Sequence, residues 1–302
     1  MRIGMVGLGR MGANMTTRLL RGGHEVAVYD LSDEAVQRAA EGGADGASSL
    51  GELVAALPAP RVVWLMVPAG EVTERTIDAV AAELEQGDTI VDGGNSRWTD
   101  SMQRGARLAK AGVDFVDAGT SGGVWGLSEG YCLMVGGDRE VVGRLAPVLS
   151  TLAPPDGWAH VGPVGAGHFT KMVHNGVEYA LMQAYAEGFE LLSASEFGLD
   201  LHQVAEVWRH GSVVRSWLLD LAASALESDP GLEQLTGYVE DSGEGRWTVE
   251  AAIDSAVAVP AIATALFARF SSRSDDAFAN RMLAALRNEF GGHAVRKREG
   301  EP

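Results

Sequence analysis

The first thirty residues constrain this chain most. RIGMV is a short apolar run, GLGRMG follows it, and ANMTTRLL continues as an amphipathic stretch. Gly7, Gly9 and Gly12 match G-x-G-x-x-G, whose glycines serve a tight turn, close backbone approach to a pyrophosphate, and close packing of helix on strand. Gly7, Leu8, Gly9, Arg10, Met11 and Gly12 are therefore the candidate phosphate cradle. The exposed amides and dipole of the helix start supply the positive end for the anion. A lone GxGxxG says little, but here a strand precedes it, a helix follows, and a second strand, EVAVYD, comes next. That strand ends in Asp30, near the ~20-residue offset of the carboxylate that binds the ribose hydroxyls. Asp30 would repel a 2′-phosphate and no basic residue follows it in LSDEAV, so NAD is expected rather than NADP.

The same rhythm continues. RVVWLMVPAG, DTIVDGGNS and DFVDAGTSGG read as strands running into turns, Glu71 to Glu85 as an intervening helix, and YCLMVGG as the start of a hairpin-like region. Strands alternating with helices imply a doubly wound parallel sheet, and such sheets bind ligands beyond the C-terminal ends of their strands. Val67, Pro68 and Ala69 fall at one such end, Asn95 at a second, and Ser121, Gly122 and Gly123 at a third. Their small size permits close backbone approach, and Asn95 and Ser121 add hydrogen-bonding groups. From about Gly165 the strands stop. Long apolar-periodic segments take over at 167–195, 201–209, 213–227, 247–270 and 275–290. Gly198 is placed to end the final turn of the first. Ser274 is placed as the N-cap of the last, with Gly291 and Gly292 as its terminator. The expected architecture is α/β: a Rossmann-type dinucleotide-binding domain over residues 1–164, then an all-helical domain over 165–302 for substrate and oligomerisation.

A chain of 302 residues can bury a core in each domain. Its one cysteine, Cys132 in YCLMV, excludes an intrachain disulfide and reads as a small buried hydrophobe. The N-terminus runs straight into the strand-like RIGMV, so no signal peptide is expected. The longest uncharged apolar run, Ser255 to Ala268, contains Pro260 and falls short of the ~20 residues that span a bilayer. A cytoplasmic protein with no membrane partner is expected. The net charge of −17 argues against nucleic acid as a partner. It also requires that any small anion be held by a local cluster of Arg, Lys or His.

KMVHNGVEY carries the densest chemistry. Lys171, His174, Asn175, Glu178 and Tyr179 sit at i, i+3, i+4, i+7 and i+8, an arc of roughly 140° on one helical face. Met172, Val173, Val177 and Ala180 suit packing on the other side. A lysine and a glutamate beside a histidine and an amide read either as an acid/base site or as a solvated face with a Lys–Glu pair. Spacing alone favours the solvated face.

GLGRMG, VDGGNS, TSGG and GAGHFTKMVHNGVEY, in that order, resemble the 6-phosphogluconate dehydrogenase family in its short-chain form, from residue 1 to about residue 295. The wider β-hydroxyacid dehydrogenase group shares the glycine fingerprint, the SGG loop and the lysine. It typically carries an N-N pair after that lysine, where this chain has HNGVEY. The resemblance implies oxidative decarboxylation of 6-phosphogluconate to ribulose 5-phosphate and CO2 with reduction of NAD⁺, Lys171 as general base and Glu178 as general acid. It implies that Asn95, Ser121, Gly122, Gly123, His174, Asn175 and Tyr179 contact the sugar acid and that Arg269 in LFARF binds its phosphate. It further implies a homodimer or homotetramer in which Arg287 and His293, from LRNEFGGH, reach the partner subunit's site. A lysine that has lost hydration on burial favours its neutral form, which suits a base. No metal is implied, and no HExxH or dense His/Asp/Glu spacing is present.

The chain departs from the family at one point. The family places a phosphate-binding lysine four residues before the basic residue of its G-K-W-T motif; here the motif is GRWT, the position is Ser242, and Arg246 is the candidate substitute. That departure speaks for another β-hydroxyacid dehydrogenase, of the 3-hydroxyisobutyrate type, while HNGVEY and the Arg287/His293 pair speak against it. A non-catalytic NAD-binding protein is the remaining alternative.

Overall fold

The computed structural model describes residues 1–291 and 294–296. They form two compact units, divided between His174 and Asn175. The first alternates β1 (Arg2–Val6), α1 (Arg10–Arg21), β2 (Glu25–Tyr29), α2 (Asp33–Glu41), β3 (Asp45–Gly46), α3 (Leu50–Ala55), β4 (Val62–Leu65), α4 (Glu71–Ala81), β5 (Thr89–Asp92), α5 (Trp98–Leu108) and β6 (Asp114–Ser121). A short α6 (Gly126–Glu129), β7 (Cys132–Gly136), α7 (Arg139–Leu152) and β8 (Trp158–Gly162) complete it, and α8 (Ala166–Ser193) starts within it. The strands make one sheet in the order β3-β2-β1-β4-β5-β6-β7-β8. Every adjacent pair is parallel except β6 with β7. The direction of winding reverses between β1 and β4, and the glycine fingerprint follows β1 at that switch point.

Helices cover both faces, so the central strands are apolar at successive positions rather than alternate ones. Val62, Val63, Trp64 and Leu65 are all buried. Ile3, Met5, Val26, Val28 and Trp64 point to one side, against Met15 and Leu19 of α1 and Val141, Leu145 and Leu149 of α7. Ala27, Val63, Leu65 and Ile90 point to the other, against Leu53 of α3 and Ile77 and Val80 of α4. Each large side chain so buried stabilises the fold by roughly 1.5–3 kcal/mol. The sequence pattern marks neither β3 nor β8. β3 has only two residues, and β8 alternates half-buried with exposed positions and so lacks an apolar run. Cys132, expected to be buried, is exposed at the start of β7.

The second unit continues α8 and adds α9 (Leu201–Arg209), α10 (Trp217–Ser228), α11 (Glu244–Asp254), α12 (Pro260–Ser271) and α13 (Phe278–Gly291). Ala205, Leu219, Ala223 and Leu226 form one core with Tyr185 and Phe189 of α8. Tyr179, Ala265 and Leu266 form another. Several expected boundaries move. The run 247–270 is two helices: the amide of Val257 donates to Ala252 O at 2.8 Å, Ala256 adopts a φ of +53°, and Pro260 opens α12, where its missing N–H costs nothing. α10 starts four residues later than expected because Ser216 caps it, accepting from the amide of Leu219. α8 ends at Ser193, before Gly198. Ser274 is not the cap of α13; its amide donates to Ser271 O in the turn that closes α12. α4 stops at Ala81 rather than Glu85. Gly292 lies outside the described residues.

Candidate functional site

β1 runs into a turn that only glycine can make. Gly7 has a φ of +92°, and a Cβ there would lie 2.5 Å from Met66 O. A Cβ at Gly12 would lie 2.0 Å from Gly7 O, so the first turn of α1 rests directly on the loop. Gly9, by contrast, faces open space. It is the N-cap of α1 and carries no side chain to occupy the helix start. Arg10 is exposed, Met11 half-buried and Leu8 buried. At the end of β2 the Asp30 carboxylate accepts the amides of Leu8 at 2.6 Å and Ser32 at 2.8 Å, tying it to the fingerprint turn. A glycine cradle open on one side, a helix N-terminus and a fixed carboxylate at the end of β2 fit a dinucleotide. Beyond β4, Val67 is half-buried and Pro68 and Ala69 are exposed, with Pro68 O held by the buried hydroxyl of Thr73 at 2.8 Å. Beyond β5, Asn95 is exposed between Gly94 and Ser96.

The start of α8 is anchored to the sheet by residues that the motif reading did not single out. Asp117, fully buried on β6, accepts the amides of Gly165 and His168, both at 2.7 Å, and so caps the helix. His168 Nδ1 lies 2.7 Å from Ser101 Oγ of α5. Three glycines let backbone meet backbone. A Cβ at Gly167 would lie 2.3 Å from Asp117 O, one at Gly136 2.7 Å from Gly167 N, and one at Gly119 2.5 Å from the Cβ of Lys171. Lys171 is thereby held over β6 one helical turn past the cap and is 9% exposed. His174, a turn further on, brings Nε2 to 3.5 Å from Ser121 Oγ at the end of that strand. Gly122 and Gly123 follow with φ of +126° and +50°, turning the chain away from the sheet. A carboxylate in the middle of an apolar strand was the available signal for Asp117, since a buried acid must have donors to face.

In the second unit the helix continues with Asn175 and Glu178 half-buried and Tyr179 buried. The apolar flank behaves unlike its expectation: Met172 is buried, but Val173 and Val177 are exposed while Lys171 and Tyr179 are not. The Tyr179 hydroxyl accepts the amide of Ser242 at 3.0 Å, and the Arg269 guanidinium stacks on its ring at 3.7 Å. Arg269 Nη1 also donates to Glu240 O at 2.8 Å. Ser242 and Arg269 thus share one tyrosine. Arg246 gives both arms of its fork to Asp241, at 2.9 and 3.0 Å, and lies over Phe270. Arg273 donates to the same carboxylate at 2.7 Å. Arg287 is exposed on α13, and His293 lies outside the described residues. Among the described residues no three or more His, Cys, Asp or Glu side chains are placed to hold a metal ion, and no helix is long and apolar enough to cross a membrane.

Two family models match: the NAD binding domain of 6-phosphogluconate dehydrogenase over residues 2–165 and the 6-phosphogluconate dehydrogenase C-terminal domain over residues 167–299. The chain is 46% identical over 301 residues to the NAD(+)-dependent, decarboxylating 6-phosphogluconate dehydrogenase of Haloferax volcanii, covering 99% of this chain and 100% of that one. It is 44% identical over 298 residues to a putative 6-phosphogluconate dehydrogenase of Bacillus subtilis, with 99% and 100% covered. Among solved structures it resembles 6-phosphogluconate dehydrogenase of Plasmodium falciparum, with a TM-score of 0.84 and 26% identity over 100% of this chain and 67% of that one.

Proposed function

The chain belongs to the 6-phosphogluconate dehydrogenase family, and on that premise we propose how its own residues oxidise and decarboxylate 6-phosphogluconate with NAD⁺. The observation that carries the reading is Lys171, buried on α8 and held over the end of β6 by the Asp117 cap and the Gly119 contact. NAD⁺, when bound, supplies the hydride acceptor. Gly7, Leu8, Gly9, Arg10, Met11 and Gly12 cradle its pyrophosphate, Asp30 takes its ribose hydroxyls, and Val67, Pro68, Ala69 and Asn95 flank it.

In this reading Ser121, Gly122, Gly123, Asn95, His174, Asn175 and Tyr179 orient the sugar acid. Nζ of Lys171 takes the proton of the C3 hydroxyl as that carbon is oxidised. Burial strips hydration from an ammonium and so favours the neutral amine that this step needs. The ammonium then returns its proton to the C3 carbonyl oxygen while the C1–C2 bond breaks. CO2 leaves, and its bonding electrons form the C2–C3 double bond of an enediol. Glu178 protonates C2 as Lys171 takes back the O3 proton, which restores the ketone and yields ribulose 5-phosphate. Arg269 binds the phosphate, since a guanidinium fork can serve two of its oxygens. Residues 1–164 serve the dinucleotide and 165–302 the substrate and assembly. Arg287 and His293 complete the partner's site in a homo-oligomer, a role supported by the exposed Phe278, Met282, Leu283 and Leu286 along α13. The protein acts in the cytoplasm, where sugar phosphates and NAD⁺ are found together.

The test is NAD⁺ reduction with 6-phosphogluconate while CO2 release is followed. One CO2 per NADH is expected, with turnover reduced about 10²-fold or more in Glu178→Gln. NADH formation without CO2, or an unaffected Glu178→Gln, contradicts the assignment.

A further inference from the structure

Beneath the loop that follows β5 lies a buried charge network to which the reaction above assigns no task. Asp92, the last residue of β5, is fully buried, and Arg104 of α5 is 3% exposed. Nη1 of Arg104 donates to Asp92 Oδ2 and to Ser96 Oγ, each at 3.0 Å, and Nε donates to Glu74 Oε2 of α4 at 2.8 Å. Ser96 Oγ donates to Asp92 Oδ2 at 2.7 Å, and Asp92 Oδ1 accepts the amide of Gly94 at 3.0 Å. Both neighbours of Asn95 are therefore fixed to one carboxylate, and that carboxylate is neutralised by one arginine. The exposed side chain of Asn95 stands on a two-point mount. Gly94 also lies against the preceding loop, since a Cβ there would be 3.0 Å from Val67 O. Glu74 belongs to the helix that leads out of that same loop.

We propose that Arg104 and Ser96 are positioning residues that act through Asn95, locking its loop in the conformation that presents the amide to substrate and cofactor. A buried cation with hydrogen-bond partners in a strand, a loop and a helix costs more to desolvate than an apolar side chain of its size. It does, however, fix geometry at the one loop residue whose amide must be aimed. The inference rests on the reading of Asn95 as a ligand-contacting residue.

The experiment is a double-mutant cycle on kcat/KM for 6-phosphogluconate with Arg104→Met, Ser96→Ala and Asn95→Ala. Displacing a site group by about 1 Å can cost ~10²-fold, so Arg104→Met is expected to lose tenfold or more, and Ser96→Ala less. Added to Asn95→Ala, either change should cost little further, because its effect has already been removed. A plain loss of fold would instead multiply with Asn95→Ala. Arg104→Lys should recover only part of the loss, since a point charge cannot serve Asp92, Ser96 and Glu74 at once. If Arg104→Met does not fold, the Ser96→Ala arm decides alone. Full activity in the folded variants, or losses that multiply with that of Asn95→Ala, overturn the inference. A silent Asn95→Ala overturns the role of Asn95 itself, and with it the premise.

Discussion

Arg246 and Arg273 converge on the carboxylate of Asp241 and hold it well below the usual carboxylate range, the paired bonds from Arg246 contributing most. A group whose folded-state pKa is depressed stabilises the protein above its unfolded pKa, near ~3.9, and that stabilisation fades as pH falls toward the folded value. Asp241→Asn should therefore lower stability by about 1–3 kcal/mol at pH 7. In urea unfolding the gap to wild type should narrow once the pH drops below about 4. A gap independent of pH would contradict the account. At this scale the sequence was partly legible. That Lys171 and Glu178 lie on one long helix was legible in their spacing. That Arg246 faces Asp241 was not, because the five-residue separation spans a turn into α11 whose geometry no periodicity reveals.

α8 is placed by its first turn. Asp117 satisfies two of the amides that every helix start leaves without partners, and Gly119, Gly136 and Gly167 remove the side chains that would hold helix and sheet apart. In Gly119→Ala the new methyl would meet the Lys171 Cβ at 2.5 Å and Gly167 O at 2.6 Å, neither of which is the end of a flexible side chain. α8 must move, and turnover should fall about 10²-fold while the NAD⁺ dissociation constant, which the proposed cradle at β1 and α1 would set, stays near wild type. Turnover equal to wild type would show that this contact does not position the lysine. The sheet and its winding were readable from strand–helix alternation and from the fingerprint. Helix limits were less so: 247–270 keeps an apolar rhythm across the break, and only Pro260 marks where a helix can begin again.

Taken whole, the chain joins a dinucleotide fold to a set of helices that leave large apolar side chains exposed, among them Phe267, Phe278 and Leu283. A variant lacking residues 285–302 should raise KM for 6-phosphogluconate about tenfold or more through loss of Arg287 and His293, with little change in KM for NAD⁺. An unchanged KM for the sugar acid would remove the cross-subunit role. Average charge argues against nucleic acid, and motif order carried the family. Single residues such as Ser242 gain meaning only from the fold that sets Ser242 against Tyr179 beside Arg269. The most direct test of the whole account is the turnover of Lys171→Ala, measured alongside its affinity for NAD⁺. The account predicts a loss of about 10³-fold or more in both NADH formation and CO2 release with NAD⁺ affinity retained; turnover within about tenfold of wild type would contradict it.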